Sequence, residues 1–536
     1  MVSIQVSKSW LANGLKASES ELLEALPQVK ASVEEDGELL TLEVTGDRPD
    51  LLGRYGLLRA LKGYLGKESG LPQLKMSKAK AKLVVEPSVK KVRPFALAAF
   101  ARGLPRLDDE AVREMMQLQE KLVLTHGRRR RKVAVGIHDA STVKGNLAYK
   151  AVSADFEFTP LGWSKPAPIS RIMKEHDKGK DYASCLNGRD YPLFCDEEGV
   201  LSMPPIINSQ RTAVTMDTTN LLFDVTGTEW EACNVALNIL CHEFADAGCK
   251  IEAVESDGRL TPETKPHEMM LALEAANKAL GSKFSDTEAV GLLRKQRLDA
   301  VHKDGVLRCL IPRYRADFLH SIDLIEEMAL GYGYNAFKLK KPTVFTKGSL
   351  SQETLQEEKA RDAFVGAGFV EASTGVLSNE ETAFKALSEG KPVGLKNPVS
   401  KEYAAIRGEL LPSLLDLLSA NTHNAYPQRV FEVGEVVKRG GPEGTVTRRH
   451  ACAASCHATA NLTESAAVLA HLMKALGFSY ELHECGDQRF MAGRQARVLV
   501  AGKKVGIIGE AHPQMLENFG LQMPCVLLEI DLDELL

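Results

Sequence analysis

Along the first seventy residues the apolar positions switch between two periods. "VSIQV" and "LLTLEVT" alternate apolar with polar residues, the two-residue repeat of half-buried strands. "SESELLEAL" and "LLGRYGLLRALKGYLG" repeat at helical spacing instead, and "GDRPD" at 46–50 predicts a turn with Pro49 suited to the first turn of the second helix. The lysine-rich "KMSKAKAKLVVEPSVKKVRP", roughly 75–94, interrupts this order and reads as a linker. From about 95 to 255 a larger α/β region follows. It runs from the strand "PFALAAFARGL" through the helix "DEAVREMMQLQEKLVLTHG" and the strand and turn "RKVAVGIHDAS" to "MPPIINSQRTAVT", "NLLFDVTGT" and the helix "EWEACNVALNILCHEFADAG". Residues 260–340 read as helix ("KPHEMMLALEAANKALG"), helix ("SDTEAVGLLRKQRL"), two short strands ("AVHKDG", "VLRCLIPRY") and a last helix, a helix–helix–wing module of the kind also used to bind DNA. After 345 comes a third α/β region with a helix through "ETLQEEKARDAFVGAGF" and strands that include "RVFEVGEVVK".

The last helix of the 260–340 module carries unusual charge. In "YRADFLHSIDLIEEMALGYGY", Ile322, Ile325 and Ala329 recur at helical spacing between about Leu319 and Leu330, flanked by Leu324 and Met328. Asp323, Glu326 and Glu327 stand at i, i+3 and i+4, and Asp317 lies just upstream, where the chain enters the helix. One reading is a solvated acidic face near a helix N-terminus, where the macrodipole favours anions. The other is a hard-cation site, because carboxylate oxygens suit Mg²⁺ or Ca²⁺. The stretch alone leaves both open.

Length and charge narrow the classes. A chain of 536 residues predicts three or four domains. Lys+Arg 67 against Asp+Glu 71 gives 67 − 71 = −4, which argues against coating nucleic acid by charge alone. The dense basic run "GRRRRK" at 127–132 reads either as a solvated loop or as a contact with a nucleic-acid backbone. No stretch approaches ~18 uninterrupted apolar residues and "MVSIQVSKSWLANG" lacks a signal-peptide core, so a soluble, cytoplasmic chain without a membrane partner is expected. The ten cysteines include no CxxC pair and read as reduced, mostly buried thiols rather than metal ligands. "GYGY" lacks the third glycine and the preceding strand of a dinucleotide loop.

Several longer segments are more specific. "GDRPDLLGRYGLLRALKGYLG", "GIHD", "PPIINS", "FDVTGT", "YRADFLHSIDLIEEMALGYGYN", "KNPVSKEYAAIRGELLPSLLDLLSAN", "FEVGEVV" and "GIIGEAHPQML…FGL" occur in that order between about 43 and 521. They resemble the successive signatures of the phenylalanyl-tRNA synthetase β subunit, a class II aminoacyl-tRNA synthetase family. The length, and the absence of an early OB-fold insert and of a C-terminal RNA-binding domain, resemble the archaeal/eukaryotic type. One departure is Asp47-Arg48-Pro49-Asp50, where the family usually has Asn-Arg-Pro-Asp. The resemblance implies an α+β multidomain chain with an N-terminal α/β domain at 1–75 and a B3/B4-like editing domain at 90–255. A winged-helix-like B5 domain at 260–340 and a degenerate class II synthetase core with an antiparallel sheet at 345–536 would complete it. It also implies an (αβ)₂ heterotetramer in which the α subunit attaches phenylalanine to tRNA(Phe) using ATP, while β hydrolyses mischarged Tyr-tRNA(Phe).

The residues themselves can be held against these implications. A class II site needs an arginine on the motif 2 strand to hold the ATP α-phosphate and another in motif 3. Here Val433 and Gly434 follow the glutamate of "RVFEVGEVV", and "VGIIGEAHP" has no arginine, so nothing stabilises the charge of adenylate formation. An editing site is useful because an apolar pocket rejects the added hydroxyl of tyrosine only weakly. "FDVTGT" sets Asp224 and Thr226 two apart on one face of a strand. The resemblance makes these pocket residues, with Leu193 and Ser202 as upstream partners. His138 and Asp139 of "GIHD" are expected to be structural rather than catalytic, and hydrolysis to work by positioning water rather than through a covalent nucleophile. The resemblance also assigns Mg²⁺ to Asp317, Asp323, Glu326 and Glu327, at a site shared with the α subunit, and the spacing D-x₅-D-x₂-E-E matches. Two other readings are a winged-helix nucleic-acid-binding or assembly scaffold, disfavoured by the charge of −4, and a stand-alone editing hydrolase, disfavoured by the large degenerate core.

Overall fold

The structure, a computed structural model, describes residues 2–105, 109–186, 189–339, 341 and 344–535. The chain forms two compact units, Met1–Lys340 and Lys341–Leu536.

The first unit begins with an antiparallel sheet in which Leu39–Val44 lies between Val2–Ser7 and Ala31–Glu35. "GDRPD" forms a 3₁₀ turn at Pro49–Leu51 that feeds the helix Arg54–Tyr64, as its proline and spacing predict. Next comes a ten-stranded sheet in which six strands run Leu147–Val152, Met76–Val85, Lys250–Ser256, Phe95–Arg102, Asn220–Gly227, Val133–Asp139, the last at its edge. The lysine-rich segment is therefore not a linker over Met76–Val85: it is an interior strand, parallel to both of its neighbours. Its period-two pattern explains this, because Ala79 and Leu83 point into the core while Lys78 and Lys82 pair with Glu255 outside. The helix Trp230–Asp246, apolar nearly all round, buries residues from Ala232 to Phe244 against the sheet and the N-terminal helices. Leu11, Leu57, Phe223 and Leu240 belong to one continuous core.

The helix–helix–wing module has a third strand. His267–Ala272, expected as the first turns of a helix, pairs antiparallel with Val306–Ile311, and the helix starts only at Leu273. Met269 and Leu271 alternate inward toward the module's own core, so period two wins over helical propensity there. Ser285 and Glu288 form the capping box that starts the helix Asp286–Lys295, and the acidic helix spans Ser321–Tyr332.

In the second unit, seven strands form one sheet in the order Val370–Glu371, Gln428–Arg439, Thr445–Cys456, Cys525–Asp531, Lys503–Ala511, Phe490–Val500, Glu481–His483. All neighbours are antiparallel except the first pair. Alternate residues face opposite cores: Ala453 and Leu528 pack with the helices Gln352–Gly366 and Leu462–Leu476, while Ala454 and Leu527 pack with Leu411–Ala420. The ten cysteines are all free thiols, as expected.

Candidate functional site: a buried aspartate in the ten-stranded sheet

The strand Asn220–Gly227 is buried over nearly its whole length, so its two faces both meet protein. Leu221, Phe223 and Val225 face the helix-covered core, which leaves Leu222, Asp224 and Thr226 on the other face. Small residues flank the aspartate: Asp224 pairs across the sheet with Ala98 on one side and Gly136 on the other. A side chain at Gly136 would put its Cβ 2.5 Å from Asp224 Oδ1 and 2.7 Å from His138 Nε2, so this position must be glycine. Asp224 Oδ2 accepts a very short hydrogen bond from Ser202 Oγ and lies 3.0 Å from His138 Nε2. The other nitrogen of that ring, Nδ1, is 2.8 Å from Thr212 Oγ1. Ser202, His138, Thr212 and Asp224 are all buried.

Thr226, two residues along, accepts from Arg93 Nε at 3.1 Å, and its carbonyl accepts from Arg93 Nη2 at 2.8 Å. Arg93 is itself buried, and the loss of water pulls its guanidinium below its ordinary value. Burial pushes the phenol of Tyr149, in the same wall, well above its ordinary range. Sequence reasoning thus finds Asp224, Ser202 and Thr226, which the fold brings to one region. Leu193 packs elsewhere, in the apolar cluster of Phe158, Ile172 and Met203. His138, expected to be structural, holds the central carboxylate directly, whereas Asp139 caps the following turn and accepts from Thr218. Arg93 and Thr212 were missed. Arg93 sits in the segment read as linker, and nothing in the local pattern around Thr212 sets it apart.

The acidic helix resolves differently from its spacing. Asp323 is its N3 residue and accepts from the backbone N–H groups of Leu319 and His320, both at 2.7 Å. Asp317 and Glu327 are buried and share one guanidinium: Arg315 Nη2 lies 2.6 Å from Asp317 Oδ2 and 2.8 Å from Glu327 Oε1. Glu326 pairs with Lys30 at 3.1 Å, and Lys30 also holds Asp47 at 3.0 Å. The departure at position 47 therefore supplies a second anion to Lys30. Among the described residues no three His, Cys, Asp or Glu side chains are arranged to hold a metal ion. As placed, the four acids are neutralised by two basic residues and a helix cap, and by themselves they do not fit one shared Mg²⁺.

Comparison with known proteins gives the family of the chain. The B3/4 domain model matches residues 102–236, the tRNA synthetase B5 domain model matches 269–334, and the model of the phenylalanyl tRNA synthetase beta chain CLM domain matches 340–532. The phenylalanine–tRNA ligase beta subunit of Archaeoglobus fulgidus is 38% identical over 528 residues, covering 96% of this chain and 95% of its own. The chain belongs to the phenylalanine–tRNA ligase beta-subunit family. The Pyrococcus horikoshii beta subunit is likewise 38% identical, over 90% of this chain and 89% of its own. The crystal structure of an N-terminal fragment of the Pyrococcus horikoshii phenylalanyl-tRNA synthetase beta subunit matches 62% of this chain and 100% of the fragment, with a TM-score of 0.59 and 35% identity.

The CLM region of this beta subunit has a cleft of its own, about 720 Å³ in volume, over the seven-stranded sheet. Three of its arginines are paired. Arg407 donates to Glu432 at 2.8 Å, Arg489 is held between Glu409 and Asp487, and Arg448 pairs with Glu534. Glu529 accepts from the first backbone N–H groups of the helix Leu411–Ala420 and lies 2.5 Å from His450 Nδ1. Its two carboxylate neighbours, Glu529 and Asp531, raise His450 above its ordinary value against the cost of burial.

Proposed function

We propose that this chain is the β subunit of a phenylalanine–tRNA ligase, working in an (αβ)₂ heterotetramer whose α subunit attaches phenylalanine to tRNA(Phe) with ATP and Mg²⁺. Its own chemistry is hydrolysis of mischarged Tyr-tRNA(Phe) in the domain built on the ten-stranded sheet, in the cytoplasm. The observation that carries the hydrolytic reading is the buried Asp224, oriented by Ser202 and His138. Oδ2 is committed to those two partners, while Oδ1 lies toward Gly136 with no hydrogen bond from the described residues. That free oxygen is the acceptor for a phenolic hydroxyl. A phenylalanyl ester offers no donor there and would leave a buried carboxylate oxygen unpaired, so the site favours the tyrosyl ester.

Ser202 donates to Asp224 and makes no hydrogen bond with His138 among the described residues, so no Ser–His pair is set up for covalent catalysis. Hydrolysis then proceeds by holding the ester and a water in place, with the Ser202 hydroxyl and the Thr226–Arg93 pair as fixed polar groups. Leu193, in the separate cluster of Phe158, Ile172 and Met203, takes no part in this arrangement.

The domain assignments of this reading are an N-terminal α/β domain at 1–75, an editing domain at 90–255 extended back to the strand at Met76, a B5-like domain at 260–340, and a degenerate class II core at 345–536. The paired Arg407, Arg448 and Arg489 of the cleft and the absent motif arginines support the last of these. Mg²⁺ is proposed at Asp317, Asp323, Glu326 and Glu327 only in the assembled complex, where oxygens of the α subunit would complete what these acids lack alone; no step of hydrolysis runs through it. No helix among the described residues is long and apolar enough to cross a membrane. Co-expression with an α subunit tests the whole reading: a complex of heterotetramer mass that charges tRNA(Phe) and deacylates Tyr-tRNA(Phe) is expected. A complex that charges normally but never deacylates would overturn the editing half.

A further inference from the structure

The basic run 127–132 divides its side chains in two. Arg130 turns inward, donates to the carbonyls of Pro205 and Ile206 at 3.0 and 2.8 Å, and stacks on Tyr182 at 4.2 Å. Lys132 pairs with Glu229 at 2.7 Å. Arg128, Arg129 and Arg131 are exposed and have no carboxylate partner among the described residues. In a chain of net charge −4, three guanidiniums on one turn without a carboxylate partner are a local concentration of positive charge.

The backbone that presents them is strained and tightly held. Arg128, Arg129 and Arg130 have φ of 48°, 53° and 65°, three successive left-handed residues that any L side chain adopts at a cost. The turn is closed by hydrogen bonds from Arg129 N to Leu124 O and Arg130 N to Val123 O, at 3.1 and 3.0 Å, back onto the preceding helix. A Cβ at Gly127 would press on the carbonyls of Val123 and Val133. The turn is also tied to the hydrolytic site: Arg93, which holds Thr226 through Nε and Nη2, donates through Nη1 to the carbonyl of Arg131 at 3.3 Å. One buried side chain therefore fixes the distance between the site and the exposed arginines.

We infer that Arg128, Arg129 and Arg131 form a phosphate-binding turn that takes the backbone of the tRNA 3′ end and sets its terminal ester at Asp224. The inference rests on the editing reading for its location, but its chemistry is that of three cations aimed at a polyanion. A strained turn anchored at both ends presents these side chains from a backbone without the freedom of a loose loop, which lowers the cost of contacting successive phosphates.

The test uses the αβ complex with the triple variant R128A/R129A/R131A, and R128K/R129K/R131K as the charge-keeping control. With Tyr-tRNA(Phe), the alanine variant should raise KM for deacylation by about tenfold or more and lower the slope of log KM against log[salt] by up to ~2, at ~0.7 per lost single-strand phosphate contact. The lysine variant should stay near wild type. With 2′(3′)-O-tyrosyl-adenosine, which has no phosphates, wild type and alanine variant should hydrolyse alike. Equal losses on both substrates would make the turn a structural support of the pocket, and an unchanged KM and salt slope with tRNA would make it a solvated loop; either result overturns the inference. If Asp224→Ala leaves deacylation unaltered, the editing reading fails separately. The turn is then judged by the salt slope of uncharged tRNA(Phe) binding, which the alanine variant must flatten for the inference to stand.

Discussion

At the scale of single residues, Asp224 is where the physics is most demanding. Its carboxylate is buried with a hydroxyl and an imidazole on one oxygen and glycine against the other. Asp224→Ala should lower kcat/KM for Tyr-tRNA(Phe) deacylation by about 10- to 100-fold, the scale of one hydrogen bond between the tyrosyl hydroxyl and a charged acceptor. Phenylalanylation by the complex should stay within about twofold of wild type, an expectation checked by assaying both reactions on one preparation. Gly136→Ala should impair deacylation as well, because its methyl group displaces the carboxylate. Strand periodicity made Asp224 and Thr226 legible, since a two-residue spacing in an apolar strand can only put both on one face. His138 was undervalued because "GIHD" shows a strand end but not which neighbour the imidazole meets. That neighbour comes from residue 224, and such a long-range pairing has no local signature.

His242 offers a second residue-level test, through pH. Fully buried in the helix Trp230–Asp246 beside Arg59 and Tyr314, it is pulled down to about 3 by burial first and by the Arg59 charge second. The folded chain therefore keeps it neutral, while the unfolded chain protonates it below its ordinary 6.5. The sign follows: its contribution is intact above pH 6.5 and is lost progressively as pH falls toward 3. The adjacent Glu243 runs the other way, because burial raises its carboxyl and the folded state takes up a proton first. The difference between wild type and His242→Gln isolates the histidine. Urea midpoints at pH 7.5, 6 and 5 should converge as the pH falls, and a constant gap would show that His242 does not titrate between the two states.

At the scale of elements, the acidic helix shows how one spacing can serve several purposes. The three acids at i, i+3 and i+4 do lie close along the helix, yet one is a cap, one is buried on Arg315 and one meets Lys30. The partners were illegible because they come from Ala31's neighbour Lys30, almost the full unit away in sequence, and from a turn upstream of the helix. Removing the shared guanidinium takes the partner from two carboxylates at once, so Arg315→Ala should cost about 3 kcal/mol or more of unfolding free energy. That loss should be the same with and without chelator in the isolated chain. Wild type whose midpoint drops on chelation would instead show a cation already bound by these acids alone. The same contrast of local and distant causes explains the two misread segments. Met76–Val85 and His267–Ala272 both alternate at period two, but lysine content in one and helix-forming residues in the other masked a register that only their sheet neighbours fix.

At the scale of the whole molecule, the order of signatures was enough to recover the family, because a run of long segments in one order carries more information than any single residue. What the sequence left implicit is that three arginines lining the cleft of the second unit are each paired with carboxylates, while Arg439 and Lys504 on its wall have none among the described residues. A site for adenylate formation must keep guanidinium groups free for phosphate, since catalysis depends on donors that are better paired in the transition state than before it. Here Arg407, Arg448 and Arg489 already face Glu432, Glu534, Glu409 and Asp487, and the N-terminus of the helix Leu411–Ala420 is capped by Glu529. An incoming triphosphate would have to break buried ion pairs and approach these carboxylates. The purified chain without α should therefore give no phenylalanine-dependent ATP–pyrophosphate exchange. Millimolar ATP should leave its thermal midpoint unchanged, because a ligand stabilises only in proportion to its binding to the folded state. Adding the α subunit should bring exchange into the same tube. Exchange by the chain alone, abolished by Arg407→Ala, would mean that the cleft opens and that this core is not degenerate.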